Sequence, residues 1–171
     1  MYGRRVRIGT GDRSASAPAV IAWKVRAVFA DQRSKEMHMP SLDHTIVHST
    51  DRFASARFLA DLLGAPEPKA YGPFAAVKMD NGVTLDYAEH VPAGKELVPT
   101  HYAFLVTEDE FDAILARIAK RELPYWADPM HSRAQEINTH DGGRGLYLDD
   151  PDGHNMEFLT RTYSDALLAS L

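Results

Sequence analysis

His44, His101 and Glu157 are the residues of this chain whose types and spacing could do chemistry together. His44 stands in LDHTIVHS (42–49) and His101 in HYAFLV (101–106), 57 residues apart. Glu157 sits between Met156 and Phe158, in a segment returning from the turn DDPDGH. A carboxylate flanked by apolar residues in a strand is either solvent-facing or has a partner that makes burial tolerable. A lone strand histidine is ordinarily a hydrogen-bonded or surface residue. Two at equivalent places in a repeat, with a carboxylate on the terminal strand, point instead to a ligand set for a first-row divalent ion. Asp86, in VTLDYAEH, is a fourth candidate ligand or base. A side chain so short either reaches the ion or is simply solvated.

The elements that must position these groups recur. LDHTIVHS reads as a strand, and DRFASARFLADLL as a helix with Phe58, Leu59, Leu62 and Leu63 on its apolar side and Gly64 at its stop. FAAVKM, Asn81-Gly82 and VTLDYAEH read as strand, tight turn and strand. HYAFLV then opens a second cycle. Thr107 with Glu110 predicts a capping box, and Phe111, Ile114, Leu115 and Ile118 form an apolar stripe at helical spacing. A shift of 57 residues lays His44 on His101, Thr50 on Thr107 and Asp51 on Glu108. Further strands are expected around Tyr125–Trp126, around Ala134–Thr139, and in the hairpin around DDPDGH. The pattern is strand-helix-strand-strand-strand, twice, with modules at about 40–95 and 98–163. The fold class expected is α+β.

The turn sets which side chains meet. A three-residue loop, with Pro151 at the first corner and Gly153 left-handed, pairs Asp150 with His154, Leu148 with Met156 and Tyr147 with Glu157. Opposed side chains lie roughly 5 Å apart at Cβ. Tyr147 and Glu157 would then share one face, and Leu146, Leu148, Met156 and Phe158 the other. A two-residue turn would separate Tyr147 from Glu157. The same alternation sets Asp86 opposite Val83, Leu85 and Tyr87, and His101 opposite Tyr102, Phe104 and Val106. If both modules join one curved sheet with the helices outside, His44, Asp86, His101 and Glu157 converge in its hollow.

Bulk properties narrow the function. The 171 residues suffice for one domain with a full core. There are no cysteines, which removes disulfides, thiolate ligands and thiol nucleophiles and fits a reducing compartment. Residues 1–37 hold eight Lys/Arg and three Asp/Glu, against 11 and 21 in the remainder. An acidic body disfavours nucleic acid. No apolar run approaches the roughly 20 residues that span a bilayer. Lys24 and Arg26 interrupt AVIAWKVRAVFA, which argues against a secretory signal. Residues 1–39 show neither helical nor strand periodicity and read as a poorly ordered or mis-started extension, 164–171 as a tail. The expectation is a cytoplasmic protein.

LDHTIVHSTDRFASARFLADLLG, HYAFLV and GLYLDDPDGHNMEF resemble the vicinal oxygen chelate superfamily, which includes lactoylglutathione lyase, fosfomycin- and bleomycin-resistance proteins and extradiol dioxygenases. The resemblance covers roughly residues 40–163. It implies paired βαβββ modules around a divalent metal held by His44, His101 and Glu157, with Asp86 where lactoylglutathione lyases carry a Glu ligand. Asn138-Thr139-His140, Leu146-Tyr147, Asp150-Pro151, Gly153 and Glu157 are similar to the extradiol dioxygenase signature. That likeness implies that His140 and Tyr147 contact substrate oxygens beside the metal. The acid-base histidine of larger extradiol enzymes falls here on Asp86, with His90 nearby as a possible acid-base group. EINTHDGGRGLYLDDPDGHNMEF also resembles small dioxygenase-like proteins of aromatic polyketide biosynthesis, the chartreusin type.

A two-His, one-carboxylate set leaves positions open on Fe(II), where a vicinal diol and O2 can meet. The resemblance thus implies an extradiol-type dioxygenase with Fe(II), a small aromatic substrate, O2 and a homodimeric assembly. Mn, Zn, Ni and Co suit the same ligands. Two other functions remain: a glyoxalase-like isomerase or lyase using Asp86, and a non-catalytic protein that sequesters an aromatic drug.

Overall fold

The computed structural model describes residues 40–89, 96–162 and 164. The expected N-terminal extension, His90 and all but the first residue of the expected tail lie outside them. The elements run β1 (His44–His48), α1 (Arg52–Leu63), β2 (Lys69–Tyr71), β3 (Phe74–Lys78), β4 (Thr84–Ala88), β5 (His101–Leu105), α2 (Glu108–Lys120), a 3-10 turn (His140–Gly142), β6 (Gly145–Asp149) and β7 (Asn155–Leu159). The class is α+β, and the first module is a complete βαβββ unit.

Both helices begin where the sequence supplies a cap. Asp51 Oδ1 accepts from the Phe53 and Ala54 amides, each at 3.0 Å. At α2, Thr107 and Glu110 close the predicted capping box. Phe58, Leu59 and Leu62 of α1 are buried, as are Phe111, Ile114 and Ile118 of α2, while Leu63 and Leu115 are half-buried. The helices are tied together by Arg117, whose Nη1 donates to the Leu62 carbonyl at 3.0 Å. One hydrophobic core therefore runs through both modules. It takes Val47, Leu85 and Tyr87 from the first, and Phe104, Leu146, Met156 and Phe158 from the second.

The strands form two sheets rather than one curved sheet. The first is ordered β1-β4-β3-β2 and the second β5-β7-β6. In both, the module's first strand lies parallel to its last. β1 and β5 have the same alternation of exposure along their length, with Val47 and Phe104 as the single buried residue of each. The duplication in sequence is thus a duplication in structure.

The second module departs from the expected four strands. Around Tyr125–Trp126 and Ala134–Thr139 there are isolated bridges, Trp126 to Ala134, Trp126 to Tyr147 and Asn138 to Gly145, but no continuous ladder. The connecting loop explains this. Asp128 accepts from the amides of Met130, Ser132 and Arg133 and from the Ser132 hydroxyl. The tight loop this builds places His131 and Gln135 at φ 59°, and left-handed residues cannot continue a strand.

Two of the hairpins, β3–β4 and β6–β7, close with three-residue loops. In the second, the Asp150 amide donates to the His154 carbonyl and the Gly153 amide to the Asp150 carbonyl, with Gly153 at φ 82°. The expected pairs Tyr147–Glu157 and Leu148–Met156 follow. In the first, Met79 and Val83 close an equivalent loop, with Gly82 at φ 91°. The Asn81-Gly82 turn is therefore one residue longer than a two-residue turn.

Candidate functional site

β7 and β6 carry the core of the site. Their register sets the Tyr147 and Glu157 side chains on the face opposite Met156, Phe158, Leu146 and Leu148. The Tyr147 hydroxyl donates to Glu157 Oε1 at 2.6 Å. Glu157 is only 5% exposed, so this bond is what makes its burial tolerable. The other oxygen, Oε2, lies 3.2 Å from His101 Nε2. His101 reaches it because β5 runs parallel to β7, with Ala103 opposite Glu157. The rings of His101 and Tyr147 stand 6.1 Å apart.

These atoms fit a divalent ion. Two ligand atoms about 3 Å apart can both reach one first-row ion at roughly 2.1 Å. Nitrogen and carboxylate oxygen are its ordinary donors. The His101 ring is about half exposed.

His44 occupies the corresponding place in the other sheet. Ile46 lies opposite Asp86 across the parallel β1–β4 pair, as Ala103 lies opposite Glu157. In each module a histidine therefore stands two residues ahead of the position facing a buried carboxylate. His44 Nδ1 is 2.8 Å from Asp43 Oδ2. The bond to Asp43, with the charges of Asp43 and Asp86, raises the His44 pKa above the ordinary histidine value. Asp86 is 8% exposed and Ala76 faces it from β3, where the second module has Tyr147 facing Glu157. A cavity of about 700 Å³ opens beside His44 and Asp86, lined also by Tyr71, Phe74, Lys69 and Lys78.

The structure brings His101, Glu157 and Tyr147 together, and places His44 near Asp86 in the other sheet. Among the described residues of one chain, no three His, Asp or Glu side chains come close enough to hold an ion. The reason is architectural: among those residues β1 pairs with β4 and β5 with β7, and the two edge strands do not pair with each other.

His140 opens the 3-10 turn before β6 and is exposed. Its amide faces Asn138 Oδ1 at 3.4 Å. Asn138 is buried, donates to the Ala127 carbonyl at 2.9 Å, and lies so close to Gly145 that an added Cβ would stand 2.7 Å from its Oδ1. The motif asparagine thus fixes the start of the strand that carries Tyr147.

His154 is a strut between the modules. Its Nδ1 accepts from the Thr100 amide at 2.9 Å, so the proton is on Nε2, which meets the His48 carbonyl at 2.7 Å. Asn155 is the residue near the site that the sequence reading missed. The hairpin register that pairs Tyr147 with Glu157 also pairs Asp149 with Asn155, so half of its surroundings could have been read there.

Among solved structures, the chain is similar to Oxidase ChaP-H1, at 56% identity and a TM-score of 0.70, over 74% of this chain and 99% of that one. Oxidase ChaP-H2 matches at 54% and 0.70, over 74% and 98%. Among characterised proteins, Metallothiol transferase FosB of Lysinibacillus sphaericus (strain C3-41) is 27% identical over 77% of this chain and 89% of its own length. Glutathione transferase FosA of Serratia marcescens is 29% identical over 70% and 79%. Residues 41–158 match the Glyoxalase/Bleomycin resistance protein/Dioxygenase superfamily, and the paired modules built here belong to it.

Proposed function

We propose that the protein is a metal-dependent oxidase of the extradiol dioxygenase type, which binds an aromatic diol and O2 at Fe(II) held by His44, His101 and Glu157. The observation that carries this reading is the convergence of His101 Nε2, Glu157 and the Tyr147 hydroxyl on one open sheet face. The similarity to two oxidases over nearly their whole length supports it. A bound ion would supply Lewis acidity and redox capacity at that face.

The chain's own residues have separable tasks. Tyr147 holds one carboxylate oxygen of Glu157 and so aims the other at the ligand position. To hydrogen-bond negative charge developing on a substrate oxygen, its hydroxyl would turn its single proton from Glu157 to that oxygen once an ion holds the carboxylate. His140, on its exposed turn, is the group proposed to orient or move a proton at the second substrate oxygen. The sheet face around His44, with Tyr71 and Phe74 at its cavity, supplies apolar surface suited to an aromatic ligand.

His44 completes the ligand set from a second copy of the chain. Support comes from the two edge strands: Ile46 of β1 is 44% exposed and Leu105 of β5 is 65% exposed. Open strand edges carrying apolar side chains are ordinarily covered. A two-fold arrangement setting one chain's β1 face against its partner's β5 face covers both edges and brings His44 to His101 and Glu157.

A second reading rests on Asp86. Its buried position repeats that of Glu157 in the register, which gives two His–carboxylate pairs and a four-ligand, glyoxalase-like isomerase or lyase site. Elemental analysis of anaerobically purified protein, then oxygen uptake with a panel of aromatic diols, separates the two. Iron with uptake supports the first reading. Stoichiometric zinc that survives iron reconstitution, with no uptake, removes it.

A further inference from the structure

The His101 ring makes polar contacts on both nitrogens. Nε2 faces Glu157, and Nδ1 lies 3.2 Å from Asn155 Oδ1. The β5–β7 register sets His101 beside Asn155, and the β6–β7 register sets Asp149 on its other side. Asn155 thus stands between a histidine and a carboxylate, in one row across three strands.

An amide in that place has two orientations, and its neighbours choose between them. With Nδ2 toward Asp149, it donates to Oδ1 at 3.2 Å. The opposite orientation would set the amide oxygen against the carboxylate. His131 Nε2 lies 3.2 Å from the same Nδ2. The amide oxygen is left for His101, whose Nδ1 must carry a proton to satisfy it. An imidazole that keeps its proton on Nδ1 offers its Nε2 lone pair to an ion seated between that nitrogen and Glu157.

The fold invests in placing His131 there. The Asp128-stapled loop holds it at φ 59°, a conformation that costs energy for a residue other than glycine. Its ring lies flat on Trp126, with centroids 3.9 Å apart and planes 11° from parallel. Nε2 thereby comes within 3.4 Å of Asp149 as well as within reach of Asn155.

We propose that Asn155 is a positioning residue for the metal site: oriented by Asp149, it holds the His101 proton on Nδ1 so that Nε2 is the nitrogen that binds the ion. This rests on the reading of His101 as a ligand. Hydrogen bonds of this kind to a ligating histidine are generally worth about 10–100-fold in metal affinity.

Two measurements test it. In zinc-loaded protein, 15N NMR of the imidazoles should show His101 bound through Nε2 with its proton on Nδ1, and that proton should exchange with solvent faster in Asn155→Leu. Anaerobic titration with Co(II) and Fe(II) should show affinity falling about 10–100-fold in Asn155→Leu. Exchanging donor and acceptor, with Asp149→Asn and Asn155→Asp together, keeps an acceptor on Nδ1 and should restore affinity to within a few-fold. His101 bound to zinc through Nδ1 in the unaltered protein overturns the inference even if Asn155→Leu does not fold. Equal affinities in the unaltered and Asn155→Leu proteins overturn it while leaving the metal reading intact. No metal binding by the unaltered protein overturns both.

Discussion

The Tyr147 hydroxyl donates to Glu157 Oε1 at 2.6 Å from the directly opposed position on the neighbouring strand. This bond keeps a buried carboxylate satisfied and presents its second oxygen to His101. Tyr147→Phe leaves the packing in place and removes the bond. Unfolding in urea should show a loss of about 1–3 kcal/mol, the cost of an unsatisfied buried charged group. A variant as stable as the parent would mean that solvent satisfies Oε1 instead.

The proposed two-chain site can be tested by complementation. His44→Ala and His101→Ala should each lose metal-dependent activity. Unfolded and refolded together in equal amounts, half of the dimers contain one chain of each kind. Each such dimer has one site with both histidines intact, so activity should return to roughly a quarter of the parent level. Mixtures that stay inactive would place both histidines in sites built within one chain.

Asp152 joins the modules: Oδ1 accepts from the Thr50 amide at 2.9 Å and hydroxyl at 2.6 Å, and Oδ2 from the Ser55 hydroxyl at 2.6 Å. Burial raises its pKa, but the bonds from Ser55 and Thr50 outweigh that and leave it below the ordinary value. A carboxylate with a lowered folded pKa stabilises above its unfolded pKa of about 3.9 and loses that contribution as pH falls through the folded value. Asp152→Asn should therefore destabilise by about 1–3 kcal/mol at pH 7, with the gap from the parent closing as pH falls from about 3.9 through the lowered folded value. Urea midpoints measured across that range give the answer.

His154 is 1% exposed and bonded through both ring nitrogens. His154→Ala leaves a cavity and takes the partner from the Thr100 amide and the His48 carbonyl, so a loss of about 2–4 kcal/mol is expected in thermal or urea unfolding. Metal affinity measured below the transition should stay close to that of the parent, because the histidine acts in the core.

Much of this was readable in the chain. The capping box, the helix stripes and the Tyr147–Glu157 pair follow from local rules, since cap residues and the loop type fix their own geometry. What failed depended on partners outside the segment being read. Trp126 and the Ala134 segment look like strands, yet Asp128, a single acceptor for three amides, folds the loop between them away from a ladder. The equivalence of Asp86 and Glu157 was hidden because the modules differ in length between helix and last strand. Only the sheet registers align them. Asn155 was hidden for a similar reason, because half of its environment comes from the parallel strand β5.

The turn Asp150–His154 contains both the clamp on the first module and the loop that sets the register of Glu157. Melting the module junction therefore slackens the strand that presents the carboxylate. By thermodynamic linkage, whatever saturates that carboxylate pulls against unfolding of the entire chain. The stabilisation grows as RT ln(1 + [L]/Kd), about 2.7 kcal/mol at a hundredfold excess over Kd. A metal centre on one face of a three-stranded sheet would thus act as a keystone for both halves of the duplication.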